Sequence, residues 1–251
     1  MVLFLASNIS FFSCSRHFDS AANTSASDSA SLSNDLLQVI NHEPSVPADD
    51  TLDQLMRKAG MIDVQQINPR ILVHLRYQTE DNFLQRNFYG NLTNAYAEYH
   101  TAHLLSKAQH LLDSAGNGER LLVWDAARPL HCQQLMWDAL DMPFEERTKY
   151  VSNPKNHSLH NYGCAVDVTL VDSSGTQLDM GTDFDNFSPL AQPWYEPFNI
   201  DMGILSHKQW RNRFKLRTVM KQVGFTSLSS EWWHFNSCSR TYAKEHFRMV
   251  E

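Results

Sequence analysis

Apolar and polar positions alternate along some stretches of this chain and recur at helical spacing along others, and the order of the two patterns predicts a mixed domain. Residues 70–77 (RILVHLRY) alternate loosely and are β-branched enough for a strand. Residues 94–115 carry Tyr96, Tyr99, Leu104, Leu105, Ala108, Leu111 and Leu112 near helical spacing, with Gly116 placed to end the helix. Residues 121–126 (LLVWDA) read as a short buried strand, and Pro129 opens the next helix. Residues 164–171 (CAVDVTLV) alternate cleanly, with Val166, Val168 and Leu170 on one face and Ala165, Asp167 and Thr169 on the other. A turn at 173–175 follows, then a basic amphipathic helix over 207–223 closed by Gly224, and a last core strand over 230–236 (SEWWHFN). Strands and helices do not alternate as in a βαβ array, so the expected fold class is α+β: a central antiparallel sheet with helices packed on one side.

The N-terminal stretch follows a different rule. Residues 15–33 are rich in Ser, Ala, Asn and Asp and cannot bury enough surface to offset their ordering entropy, so they read as a linker. Residues 2–12 are mostly apolar and are followed by Ser13 and Cys14, in the manner of a short signal or lipoprotein segment. Yet no Lys or Arg precedes the run, and Ser7, Asn8 and Ser10 interrupt it. It is also too short for a membrane span of ~20 residues. The chain therefore divides into a leader and linker over 1–48, either a signal segment or a disordered leader, and one domain over 49–251. The expected compartment follows the leader: periplasm or cell envelope if it is a signal, cytoplasm otherwise.

Charge and cysteine usage exclude two classes. The formal net charge is -7 and the basic residues are scattered, so no nucleic-acid groove is expected. Cys14, Cys132, Cys164 and Cys238 form no C-x-x-C pair, which argues against a cysteine-type structural zinc site; they read as mostly buried free thiols.

Three short stretches carry the candidate chemistry. In the first, Ser158 to Asp167, His160 and Asp167 are both competent zinc ligands. On one continuous strand they would point to opposite faces, so His160 has to sit in the approach loop, with Gly163 supplying the bend. The second is Glu231, Trp232, Trp233 and His234. Positions i and i+3 of a strand also face apart, so Glu231 has to lie at the strand's start or at a bulge, with the two tryptophans walling the site. Two histidines and a carboxylate leave a tetrahedral zinc one open position for water, whose proton Glu231 is placed to take. The third stretch is Trp124, Asp125, Arg128 and Pro129. Arg128 at the end of a buried strand either pairs with Asp125 or points into a cleft, where it would stabilise an oxyanion. Glu98, His100, His103 and His110 on the 94–115 helix also share a face. That spacing is what a solvated helix face gives, and no H-E-x-x-H is present.

These stretches resemble the VanX-type D-alanyl-D-alanine dipeptidases, a branch of the zinc D-Ala-D-Ala peptidases whose fold is shared with hedgehog signalling domains. The matching positions are Ser158, His160, Gly163, Ala165 and Asp167; Glu231 to His234; Trp124, Asp125, Arg128 and Pro129; Arg76, Tyr77, Thr79, Asp81, Asn82 and Phe83; and Met180, Gly181, Phe184 and Asp185. The resemblance implies one Zn2+ per chain held by His160, Asp167 and His234, with Glu231 as general base and acid and Arg128 stabilising the transition state. It further implies that Tyr77, Ser158 and Asp185 recognise the ammonium end of a small dipeptide. Ala126 and Ala127 depart from the family pattern, which often has an aromatic before the arginine. Two alternatives share the scaffold: a murein D,D-carboxypeptidase or endopeptidase, which needs an open groove, and a zinc-stabilised binding domain without catalysis, which needs neither Glu231 nor Arg128.

Overall fold

The computed structural model describes residues 51–251; the leader, the linker, the expected domain start at Asp49 and Cys14 lie outside them. In chain order the described elements are α1 (Leu52–Lys58), β1 (Ile62–Asp63), α2 (Val64–Ile67), β2 (Leu72–Val73), β3 (Tyr96–Ala97), α3 (Tyr99–Ser114), β4 (Arg120–Asp125), α4 (Leu130–Asp138), α5 (Phe144–Arg147), β5 (Ala165–Val171), α6 (Glu196–Asp201), α7 (His207–Gln222), β6 (Thr226–Ser227), β7 (His234–Asn236) and α8 (Arg240–His246). Five strands form one sheet in the order β2-β4-β5-β7-β6, and β1 pairs with β3 apart from it. Helices α3 and α7 pack on each other, α3 also on β4 and α7 also on β5, and their buried leucines and methionines join the valines and leucines of those strands in a single core. The class is α+β, as expected from the sequence.

The sheet is mixed rather than wholly antiparallel. β2 runs parallel to β4, with Leu72 opposite Leu122 and Val73 opposite Val123, while β4-β5, β5-β7 and β6-β7 are antiparallel. A parallel pair needs a long crossover, and the stretch between β2 and β4, which contains α3, supplies it. The expected strand over 70–77 shrinks to two residues for a related reason. After the His74 N–H reaches the Val123 carbonyl at 2.9 Å, the chain tightens into a 3-10 turn over Arg76–Gln78, which turns Arg76 and Tyr77 inward. The helix expected from residue 94 begins later. Tyr96 and Ala97 are taken by β3, and Glu98 caps α3 by accepting from the N–H groups of His100 (2.7 Å) and Thr101 (3.3 Å). Among the described residues no helix is long and apolar enough to cross a membrane.

Candidate metal centre and active site

Register across the sheet assembles the site. Asp125 on β4 lies opposite Asp167 on β5, and Asp167 lies opposite His234 on β7. Residues directly opposite in a ladder share a face, so three polar side chains from distant stretches form one row. Asp125 joins the row because β4 shifts register between Val123 and Asp125, a bulge that re-aims the strand end. His160 comes from outside the sheet, on a 3-10 turn over Leu159–Tyr162 that Ser158 caps and Gly163 ends at φ 64. A Cβ at residue 163 would meet the Glu98 nitrogen and the Met61 sulfur at 2.6 Å, so this turn needs glycine for space as well as for its left-handed backbone.

The donor atoms of His160, Asp167 and His234 all lie within 4.8 Å of one another, and all three residues are buried. His160 Nε2 is 3.2 Å from His234 Nδ1, which is 3.0 Å from Asp167 Oδ1. The outer ring nitrogens settle what the inner ones carry. His160 Nδ1 lies 2.7 Å from the Ala126 carbonyl, which only accepts, so this nitrogen holds the proton and Nε2 presents a lone pair. His234 Nε2 lies 2.8 Å from Asn236 Oδ1 and donates to it, which leaves Nδ1 as the inward lone pair. Two lone pairs and a carboxylate therefore converge in a buried spot, an arrangement able to hold a cation between them, and two imidazoles with one carboxylate fit zinc. In the metal-free chain that cation is a proton. Burial alone would lower His234, but its hydrogen bond to the Asp167 carboxylate and the nearby Glu231 charge raise it to about 9. Burial would raise Asp167, but the two imidazoles win and hold it far below the usual carboxylate range.

Glu231 sits just before β7, and its Oε2 is 3.8 Å from His234 Nδ1. Burial pushes its pKa up, against the pull of His234 and reinforced by the charge of Asp167. Arg128 does both things the sequence left open. It donates from Nε (3.0 Å) and Nη2 (2.5 Å) to Asp125 Oδ2, and it also lines the pocket, with its guanidinium 4.9 Å above the Tyr77 ring. Asp125, fully buried, accepts from the Tyr89 hydroxyl as well, at 2.6 Å. Burial would lower Arg128, but Asp125 lifts it well above the ordinary arginine value, so the pair is ionic. Tyr77 donates to Asp185 Oδ1 at 3.1 Å, while the buried Asp185 Oδ2 has no hydrogen-bond partner among the described residues. Burial first, then the charge of Asp167, raise Asp185 well above the ordinary carboxylate range. Its backbone has φ 54, a strained value for a non-glycine residue.

All eight residues singled out in the sequence (Tyr77, Arg128, Ser158, His160, Asp167, Asp185, Glu231 and His234) line one cavity of about 170 Å³. Ser158 also has a local task, accepting from the His160 N–H at 3.3 Å. Of the tryptophan pair only Trp233 lines the cavity. Trp232 turns into the core, where its Nε1 donates to Thr182 Oγ1 at 2.8 Å and its ring meets Trp124. His100 and His110 on α3 are exposed and Glu98 is spent on the cap; among the described residues no metal-competent cluster includes them. Sequence reasoning missed Asn236, although it shares a strand face with His234 two residues before it, a signal that the spacing offered. It also missed the rim residues Lys149, Tyr150, Phe187 and Arg240, which come from loops and a helix start with no pattern tying them to the site.

A buried three-donor cation site, with a carboxylate of raised pKa beside it and a cavity open to a small molecule, defines the class of single-metal hydrolases. Comparison with known proteins narrows the class. A family model described as D-ala-D-ala dipeptidase matches residues 57–251, and the chain belongs to that metallopeptidase family. It is 30% identical over 175 residues to a D-alanyl-D-alanine dipeptidase of Escherichia coli (strain K12), covering 70% of this chain and 83% of that one. It is also 30% identical over 187 residues to a D-alanyl-D-alanine dipeptidase of Enterococcus faecium, covering 68% of this chain and 88% of that one. A third relative of the same description, from Synechocystis sp. (strain ATCC 27184 / PCC 6803 / Kazusa), is 32% identical over 152 residues and covers 49% of this chain and 61% of that one.

Proposed function

We propose that this chain hydrolyses D-alanyl-D-alanine to two D-alanines, with one zinc ion held by His160, Asp167 and His234. The observation that carries the reading is the convergence of two inward imidazole lone pairs and a carboxylate within 4.8 Å, beside Glu231 and inside a small cavity. When bound, zinc supplies Lewis acidity and makes a water acidic enough to attack near neutral pH. Glu231 takes the proton of the attacking water and delivers it to the leaving amine nitrogen; burial, by raising its pKa, brings it nearer the operating pH of such a base. Arg128 commits Nε and Nη2 to Asp125, which fixes the plane of the guanidinium, and its Nη1 edge serves the oxyanion. Asp185 and Tyr77 receive the substrate ammonium. The unpartnered Asp185 Oδ2 awaits a donor, and a cation there would return its pKa to the ionised range. Ser158 lines the same cavity and borders the substrate.

The cavity is well below the ~300–1,000 Å³ of ordinary ligand sites. That favours a dipeptide over the long groove a murein carboxypeptidase or endopeptidase requires. Glu231 and Arg128 inside it favour catalysis over a zinc-stabilised binding module. The test is Glu231→Ala assayed with zinc-loaded protein on D-Ala-D-Ala, L-Ala-L-Ala and a longer peptide ending in D-Ala-D-Ala. The parent should cleave the first far better than the others. The variant should keep its zinc and its circular dichroism and lose about 10²–10⁴-fold in rate. Parent-like hydrolysis by Glu231→Ala, or preference for the longer peptide, would overturn the reading.

A further inference from the structure

At the end of the β5-β7 ladder lies a second pair of reactive groups, on the far side of the register from the metal donors. Ala165 pairs with Asn236, so the residues just beyond them, Cys164 and Ser237, also face each other. The Ser237 N–H and hydroxyl donate to the Cys164 carbonyl at 2.9 and 3.1 Å. Cys238, the next residue, packs against the small cluster formed by Leu159, Tyr162, Cys164, Ala165 and Ala243. Cys164 donates its thiol to the Tyr162 carbonyl at 3.5 Å, and each thiol lies close enough to the other to shift its titration, although the cysteines are free. Their surroundings are unequal. Cys164 is buried, whereas Cys238 is half-exposed and lines a surface cavity with Glu98, His100, Tyr242 and Phe247. Cys132, also buried, sits elsewhere, with its thiol on the Phe88 carbonyl.

We infer that Cys164 and Cys238 form a dithiol that a low-molecular-weight disulfide, such as oxidised glutathione, converts to an intramolecular disulfide. The accessible cavity gives the order of events. The Cys238 thiolate attacks the oxidant's S–S bond, forms a mixed disulfide and expels one thiolate. Cys164, behind it, then attacks the Cys238 sulfur and expels the second. Two protein thiols are oxidised, the oxidant is reduced to two free thiols, and these take up the two protons. The new bond ties β5 to β7, the strands that carry Asp167 and His234, and closes a long loop. Burial raises the pKa of both thiols, so exchange is slow at neutral pH and quickens in mild alkali.

The experiment uses the full chain, folded and zinc-loaded, incubated with oxidised glutathione at about pH 9, alkylated and digested without reductant. The expected product is a linked pair of tryptic peptides, one carrying Cys164 and the other Cys238. It should be accompanied by a rise in Tm of roughly 5–10 °C that reductant reverses. Cys164→Ser should stop at glutathione on Cys238. Cys238→Ser, at the half-exposed position where folding is least at stake, should take up neither a link nor glutathione. The inference is overturned if both thiols of the parent remain alkylatable, if glutathione stays on Cys238 while Cys164 is present, or if the link runs to Cys14 or Cys132. None of these readouts depends on hydrolysis, so the outcome is independent of the proposed function.

Discussion

Removing the carboxylate of Asp125 strands a buried charge, and the cost can be worked from its contacts. Asp125 is fully buried and Arg128 is 7% exposed. One carboxylate oxygen takes both Nε and Nη2 of the guanidinium, and the other takes the Tyr89 hydroxyl. Asp125→Ala leaves the guanidinium without its hydrogen-bonded carboxylate, which costs about 3–5 kcal/mol, with the lost Tyr89 acceptor pushing toward the upper end. For a domain of this size that is a fall in Tm of roughly 10–15 °C. Urea unfolding monitored by tryptophan fluorescence measures it. The decisive comparison is Asp125→Leu combined with Arg128→Met, which removes both charges while keeping volume. The double variant should regain most of the lost stability yet hydrolyse D-Ala-D-Ala hardly at all, because the proposed oxyanion donor is gone. If Asp125→Ala costs less than about 1 kcal/mol, or if the double variant is no more stable than the single one, an uncompensated buried charge is not the cause.

Zinc binding to the metal-free chain should release close to one proton at neutral pH, measured by calorimetry in buffers of different ionisation enthalpy. His234, raised to about 9, is then almost wholly protonated and must lose that proton. The sign follows: apparent zinc affinity rises about tenfold per pH unit up to pH 9 and levels off above it, so a flat response between pH 7 and 9 contradicts the assignment. Asn236→Ala removes the acceptor that holds the His234 Nε2 proton and should weaken zinc about 10–100-fold in chelator competition while leaving the fold intact. Gly163→Ala drives a Cβ into the Glu98 backbone and should destabilise the domain by about 2–4 kcal/mol, seen in thermal melts, while Ala165→Gly nearby offers a control without that clash.

How much of this was legible in the sequence varies with the range of the forces involved. The strands around 121–126 and 164–171 and the helix over 207–223 were legible because burial repeats locally. β4, β5 and α7 fall within a residue or two of those bounds. The odd spacing of His160 and Asp167 was legible too, since strand geometry forbade one face for both and the 3-10 turn ended by Gly163 is the resolution. The parallel edge strand was not, because the partner of Leu72 and Val73 lies beyond α3 and only tertiary pairing selects it. Trp232 could not be separated from Trp233 for the same reason. The bend before β7 decides which of the two faces the cavity, and no local propensity records it. Asp185 shows the limit from the other side. The family resemblance implied a recognition role for it, but its positive φ and its buried oxygen without a hydrogen-bond partner among the described residues belong to the folded loop, and no local pattern records them.

The proposed site also explains its own charge. Asp167, Asp185 and Glu231 line the same pocket as Arg128, whose guanidinium is paired with the buried Asp125 behind it. Burial, reinforced by the charge of Asp167, raises the pKa of Asp185 and Glu231, and the carboxylates of Asp167 and Glu231 raise His234 against its burial. A divalent cation at the imidazoles removes the need for the proton on His234 and draws Glu231 toward its basic form. An ammonium at Asp185 would give its buried carboxylate a cationic partner, so selection for a free ammonium follows from the same electrostatics that would hold a metal.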